Sequence, residues 1–144
     1  MSKLAREAVQ ECRDAQPGRE VKVNIAEGMT ARGDRRLMQA ALSNLVANAW
    51  KFTRTTERPE ISIFQVPVEG GQAATCVRDN GAGFDEKHAS RLFEAFHRLH
   101  SDKDYPGLGI GLATVQRIVD RHHGRVWAEG AVGRGAAFYF CFAD

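Results

Sequence analysis

Residues 35–53 read as one helix with two faces of different chemistry, and that pairing constrains the fold more than any other feature. At about 100° per residue, Met38, Leu42, Leu45, Val46, Ala49 and Trp50 fall on one broad apolar stripe, while Asn44, Asn48, Lys51 and Phe52 share a separate sector. Asp34 is placed to cap the first turn. The stripe needs an apolar layer to cover it, and the flanking segments supply strands. Val21, Val23 and Ile25 alternate with Lys22 and Asn24 over 21–26, with 29–32 as a short partner strand. Segments 61–68 and 73–79 flank Glu69-Gly70-Gly71-Gln72 as in a hairpin, and 126–128 and 136–142 are two closing strands joined through 130–135. Two further amphipathic helices are predicted over 3–14, stopped by Pro17-Gly18, and over 112–122, where Val115, Ile118 and Val119 face inward. A short helix over 86–97 carries Leu92, Phe93 and Phe96. Together these give an α+β fold: a two-layer α/β sandwich with a mixed sheet and about three helices on one face.

With 144 residues, 43% of them hydrophobic, the chain is long enough for one compact domain spanning 1–144. A net charge of +2 leaves no electrostatic footprint for nucleic acid or an anionic membrane, so neither is an expected partner. No apolar run approaches the roughly 18–20 residues of a spanning helix, and no signal-peptide pattern opens the chain. Cys12, Cys76 and Cys141 are widely separated and lack CxxC spacing; they read as reduced, packed thiols of a cytoplasmic protein. The histidines show no metal-ligand spacing. His122-His123 precedes Gly124 at a helix end, where positive charge suits the dipole.

Three segments carry chemistry. Asparagine is a poor helix former, and Asn44 and Asn48 one turn apart call for a compensating partner. A carboxamide oxygen can complete the shell of Mg²⁺ held by phosphates, Lys51 can meet a phosphate, and Phe52 can cover an adenine face. Asp79 ends a predicted strand and is followed by Asn80, Gly81, Ala82, Gly83 and Phe84. A carboxylate there accepts from the exocyclic amine of adenine and repels guanine's oxygen, while the two glycines let backbone approach the base or ribose. Gly107, Gly109 and Gly111 alternate with Leu108, Ile110 and Leu112 just before a helix, so successive N–H groups can point at one anion. The spacing is neither the dinucleotide fingerprint nor a P-loop. Each segment also has a plain structural reading, as an exposed polar helix face, an Asn-Gly turn or a hinge. Together and in this order they suit adenosine triphosphate (ATP) with Mg²⁺.

The same blocks resemble the catalytic and ATP-binding domain of bacterial sensor histidine kinases, in the superfamily of type II topoisomerases, ninety-kilodalton heat-shock chaperones and mismatch-repair ATPases. Asn44 to Phe52 is similar to that family's N box, Asp79 to Phe84 to its first glycine box, and Gly107 to Leu112 to its second; residues 92–98 resemble the F box. The resemblance implies the Bergerat-type ATP-binding fold and Asn48 as Mg²⁺ ligand. It further implies Lys51 and Arg98 as phosphate contacts and catalytic charges, Asp79 as adenine anchor, and Phe93 and Phe96 packing a lid over residues 98–107. The wording from Phe96 onward looks most like kinases coupled to phytochrome or PAS-type sensors. Leu108 and Ala136 depart from the usual small polar residues and put some polar contacts in doubt.

Where ATP-hydrolysing branches carry a water-activating glutamate, this chain has Asn44, and a carboxamide takes no proton near neutral pH. Transfer to a protein acceptor is therefore expected over hydrolysis. The implied acceptor is a histidine followed by an acidic residue on a separate dimerisation hairpin; His88, His97, His100, His122 and His123 lack that setting. The chain reads as the donor half, an excised domain with Met1 as an expression start, whose partners are that hairpin and a response-regulator receiver domain. An ATP-hydrolysing conformational switch and a non-catalytic nucleotide or second-messenger module are the alternatives.

Overall fold

The computed structural model describes residues 1–70, 72–93 and 111–143. In chain order the elements are α1 (Ser2–Ala15), β1 (Lys22–Ile25), α2 (Arg35–Phe52), β2 (Glu60–Val66), β3 (Ala74–Asp79), a 3-10 helix (Glu86–Arg91), α3 (Gly111–Arg121), β4 (Arg125–Ala131) and β5 (Gly135–Cys141). The strands form one sheet in the order β1-β2-β3-β5-β4. Among the described strands only β1 and β2 run parallel, a pairing that needs a crossover, and α2 is that crossover.

The α2 stripe lies where its periodicity predicts: Met38, Leu42, Leu45, Val46, Ala49 and Trp50 are all buried. They meet Ile61, Ile63, Val77, Phe138 and Phe140 from one face of the sheet, with Leu4, Ala5, Ala8 and Val9 of α1 and Val115, Ile118 and Val119 of α3 completing the core. Asp34 caps α2, its carboxylate accepting from the Leu37 N–H at 3.1 Å. At the other end Arg19 donates to the carbonyl of Trp50 and, at 3.2 Å, to Thr53 Oγ1, tying the loop after α1 to the last turn of α2. The opposite face of the sheet holds a smaller cluster of Cys76, Ala137 and Tyr139 beside Phe64, Val66 and Trp127.

Two expectations change. Residues 29–32 form no strand. Their backbone is paired instead by side-chain amides: Gln65 accepts from the Thr30 N–H and donates to its carbonyl, and Gln72 does the same for Arg32. The segment is paired, but by glutamine amides where a strand was expected. The helix expected over 86–97 is a 3-10 helix ending at Arg91, with Asp85 accepting from the Lys87 N–H; Phe96 lies outside the described residues. His122 lies at the expected helix end, but its side chain is tied to other elements. Its ring stacks on Phe142 at 4.1 Å between centroids, and its Nε2 accepts the Asp34 N–H at 3.0 Å. His123 takes the left-handed conformation, φ 55°, that closes α3.

Candidate functional site

The turn after β3 is fixed on every side. Asn80 brackets it, its Oδ1 accepting from the Glu60 N–H at 2.8 Å and its Nδ2 donating to the Arg58 carbonyl at 2.9 Å. The Gly81 N–H donates to Asp79 Oδ1 at 2.8 Å, and the Ala82 N–H donates to the Phe52 carbonyl at 3.0 Å, so the turn satisfies the end of α2. A Cβ on Gly81 would lie 2.2 Å from that Phe52 oxygen, and one on Gly83, where φ is +68°, would lie 2.0 Å from the Ala131 oxygen. The two glycines are therefore required by close backbone approach at both flanks, α2 on one and the β4–β5 turn on the other. Gly133 N–H donates to the Ala82 carbonyl at 2.7 Å and completes the wedge.

Asp79 ends β3 with 5% of its surface exposed and no cation paired with it among the described residues. Burial pushes its carboxyl up to about 6, against hydrogen bonds from the backbone N–H groups of Gly81 and Ala136 that favour the charged form. A carboxylate held in that state is poised to accept a hydrogen bond from a ligand that covers it.

The opposite end of the site lies one helix face away. Asn44 commits its amide nitrogen to the Ala40 carbonyl at 2.9 Å, and its Oδ1 lies 2.9 Å from where a Cβ on Gly111 would sit. Gly111 opens α3, so the first turn of that helix abuts the middle of α2. From Asn44, beside Gly111, to Phe52, beside Gly81, is eight residue steps along α2, about 12 Å. Asn48 sits midway and half-buried, and makes no side-chain hydrogen bond among the described residues. Lys51 is half-buried one turn on, with its Nζ 5.2 Å from the centroid of the Phe52 ring. The polar sector of α2 is thus bounded by the Asp79–Gly83 turn at one end and the start of α3 at the other.

Of the residues singled out from sequence, Asn44, Asn48, Lys51, Phe52, Asp79, Gly81, Gly83 and Gly111 line or border this one region. Leu112 turns its side chain into the core, so only its backbone is available to a ligand. Arg98, Gly107, Leu108, Gly109 and the segment 98–107 lie outside the described residues. Sequence reading passed over two supports: Asn80, whose signal was only its place before Gly81, and Glu86, which accepts from the Gly130 N–H at 2.8 Å and left none.

Residues 33–144 match the family described as histidine kinase-, DNA gyrase B- and HSP90-like ATPase. The chain belongs to that family. Among its relatives, cyanobacterial phytochrome A of Nostoc sp. (strain PCC 7120) is 44% identical over 108 residues, which are 75% of this chain and 14% of that protein. The methanogenesis regulatory histidine kinase FilI of Methanothrix harundinacea is 38% identical over 138 residues, 95% of this chain and 15% of that one. The chain thus spans about one-seventh of the length of these curated relatives. Among solved structures, the mycobacterial sensor histidine kinase MprB shares the fold at a TM-score of 0.82 and 23% identity, over 99% of this chain and 95% of that one. Full-length ShkA in complex with AMPPNP matches at 0.76 and 28% identity, over 99% of this chain and 30% of ShkA. By family and by fold this is a histidine-kinase-type ATP-binding domain.

Proposed function

We propose that the chain is the ATP-binding catalytic half of a two-component sensor histidine kinase, and that it donates the γ-phosphoryl group of ATP to a histidine on a separate dimerisation hairpin. The observation that carries this reading is the arrangement on α2: a buried carboxylate at one end, a helix start at the other, and amides between them where a hydrolytic enzyme would place a base. Asn44 would occupy that position, its nitrogen donating to the Ala40 carbonyl, and a carboxamide takes no proton from water near neutral pH. The base of the nucleotide would lie against Phe52 and Gly81 with its exocyclic amine on Asp79. Its phosphates would lie toward Asn44, Gly111 and the backbone of 107–112, the helix start favouring their charge. Lys51 and Arg98 would offset charge developing on the transferred group, a role of positioning and electrostatics rather than covalent chemistry.

The described residues contain no group of three or more His, Cys, Asp or Glu side chains that would cage a metal by themselves. That donor set fits Mg²⁺, which keeps several waters and is held mainly by phosphates, with Asn48 supplying one uncommitted carboxamide oxygen. When bound, the ion neutralises phosphate charge. No described helix is long and apolar enough to cross a membrane, which suits the cytoplasmic setting that ATP and a response-regulator receiver domain require.

The test is direct. The isolated chain should bind Mg²⁺-ATP in calorimetry, incorporate no label from γ-labelled ATP, and phosphorylate an added dimerisation hairpin of the same kinase at its histidine. Acid-labile labelling of the chain alone would overturn the donor assignment. Rapid multiple-turnover release of phosphate without the hairpin would favour a hydrolytic switch.

A further inference from the structure

We propose that His122 is a positioning residue for the phosphate end of the nucleotide, acting by setting where α3 lies along α2; this rests on the ATP reading above. The imidazole is held between two surfaces: Phe142 stacks on it at 4.1 Å with 14° between planes, and a Cβ on Gly33 would lie 2.9 Å from its Nε2 and Cδ2. Its two nitrogens have different duties. The Asp34 N–H reaches Nε2 at 3.0 Å and can be accepted only by a nitrogen without a hydrogen, so the ring hydrogen is on Nδ1 and is donated to the Ile118 carbonyl at 2.9 Å. The His122 carbonyl also accepts from the Ala143 N–H at 3.2 Å. One residue therefore joins the start of α2, the end of α3 and the segment after β5.

The start of α3 meets the middle of α2 at Gly111 and Asn44, where a Cβ on the glycine would lie 2.9 Å from the Asn44 Oδ1. From Asp34 to Asn44 is ten residues of helix, about 15 Å, and α3 covers the same distance in the opposite sense. Between these two pins the facing surfaces are apolar: Met38, Leu42, Val115, Ile118 and Val119 belong to one cluster. Burial of such surfaces is strong, and interdigitation of their side chains limits the axial offset, but more loosely than a hydrogen bond does. The directional bond at the Asp34–His122 end, with the steric stop at Gly111, fixes that offset more closely. The hydrogen bond from Asp34 to His122 thus determines how the first turn of α3, which meets the phosphates, faces Asn44 and Asn48. The base end, at Asp79 and Gly81, hangs on the sheet and the end of α2 and is independent of His122.

The experiment compares His122→Ala, His122→Asn and His122→Gln with wild type in the full 144-residue chain. Mg²⁺-ATP and adenosine are each titrated by calorimetry or NMR, and melting is followed in parallel. A glutamine oxygen reaches the position of Nε2 and can accept the Asp34 N–H, whereas asparagine reaches only that of Nδ1. Both variants lose the stacked ring, so both melt earlier. We expect His122→Ala and His122→Asn to weaken ATP about tenfold while adenosine changes less than about twofold, with His122→Gln recovering most of the ATP affinity. Gly33→Ala, which keeps the histidine and displaces its ring, should give the same selective loss and serves if the His122 variants do not fold. Equal losses for ATP and adenosine, or a fall in melting temperature with ATP affinity unchanged, would overturn the inference alone. Failure of wild type to bind either ligand would remove the ATP reading and this inference with it.

Discussion

Replacing Asp79 by Asn should make the empty domain more stable and the nucleotide site useless. The carboxyl is pushed from 3.8 to about 6 by burial, so keeping it ionised at neutral pH costs the fold up to about 3 kcal/mol. Because the folded value lies above the unfolded one, this contribution favours folding fully below about 3.8 and is lost as pH rises through about 6. Asparagine keeps an oxygen for the Gly81 N–H and carries no charge, so Asp79→Asn should gain about 1–3 kcal/mol at pH 7.5, or several degrees in melting temperature for a chain of this size. The gain should shrink toward pH 4, where the wild-type carboxyl is itself neutral. Binding runs the other way. If the carboxylate accepts from adenine, ATP affinity of the wild type should fall about tenfold between pH 7 and pH 5, with little change above pH 7. The variant should bind ATP weakly at every pH and lose its preference for ATP over GTP. Thermal melts from pH 4 to 8, alongside ATP and GTP titrations over the same range, read both effects. A variant that is less stable than wild type at pH 7.5, or that binds ATP as tightly, would refute the argument that this acid is retained for the ligand at the expense of the fold.

Asn48→Ala should remove the magnesium-dependent part of ATP binding while leaving adenosine binding and melting temperature near wild type, because its carboxamide supports no described hydrogen bond; a magnesium titration identical to wild type would count against it. Gly81→Ala should destabilise the domain by about 2–4 kcal/mol in urea unfolding, since its Cβ would sit 2.2 Å from the Phe52 oxygen and would force the turn away from α2. His123→Gly should raise the unfolding free energy by about 0.5–1 kcal/mol, the relief of a left-handed residue outweighing the added chain entropy, and should leave ATP affinity unchanged.

How much of this was legible in the sequence depended on whether the determinant was periodic, local or distant. The α2 stripe and its cap were readable because an apolar residue every three or four positions has only one regular structure that puts the set on one side. The strands were readable for the same reason at period two, and so was the sector of Asn44, Asn48, Lys51 and Phe52. The stretch 29–32 misled because its backbone groups had to be paired and the sequence does not say by what; the amides of Gln65 and Gln72, 35 and 40 residues away, leave no local trace. His122 was legible only in part, for a related reason. A histidine before a glycine at a helix end is locally well explained by the dipole, and nothing in its neighbours announces a bond to a residue 88 positions earlier. Asp79 lies between these cases. Its type and its glycines pointed to a ligand, but only the fold shows that no described cation balances it. A structural acid would bring its own partner; Asp79 has no described cation beside it, which is what the proposed adenine contact would require.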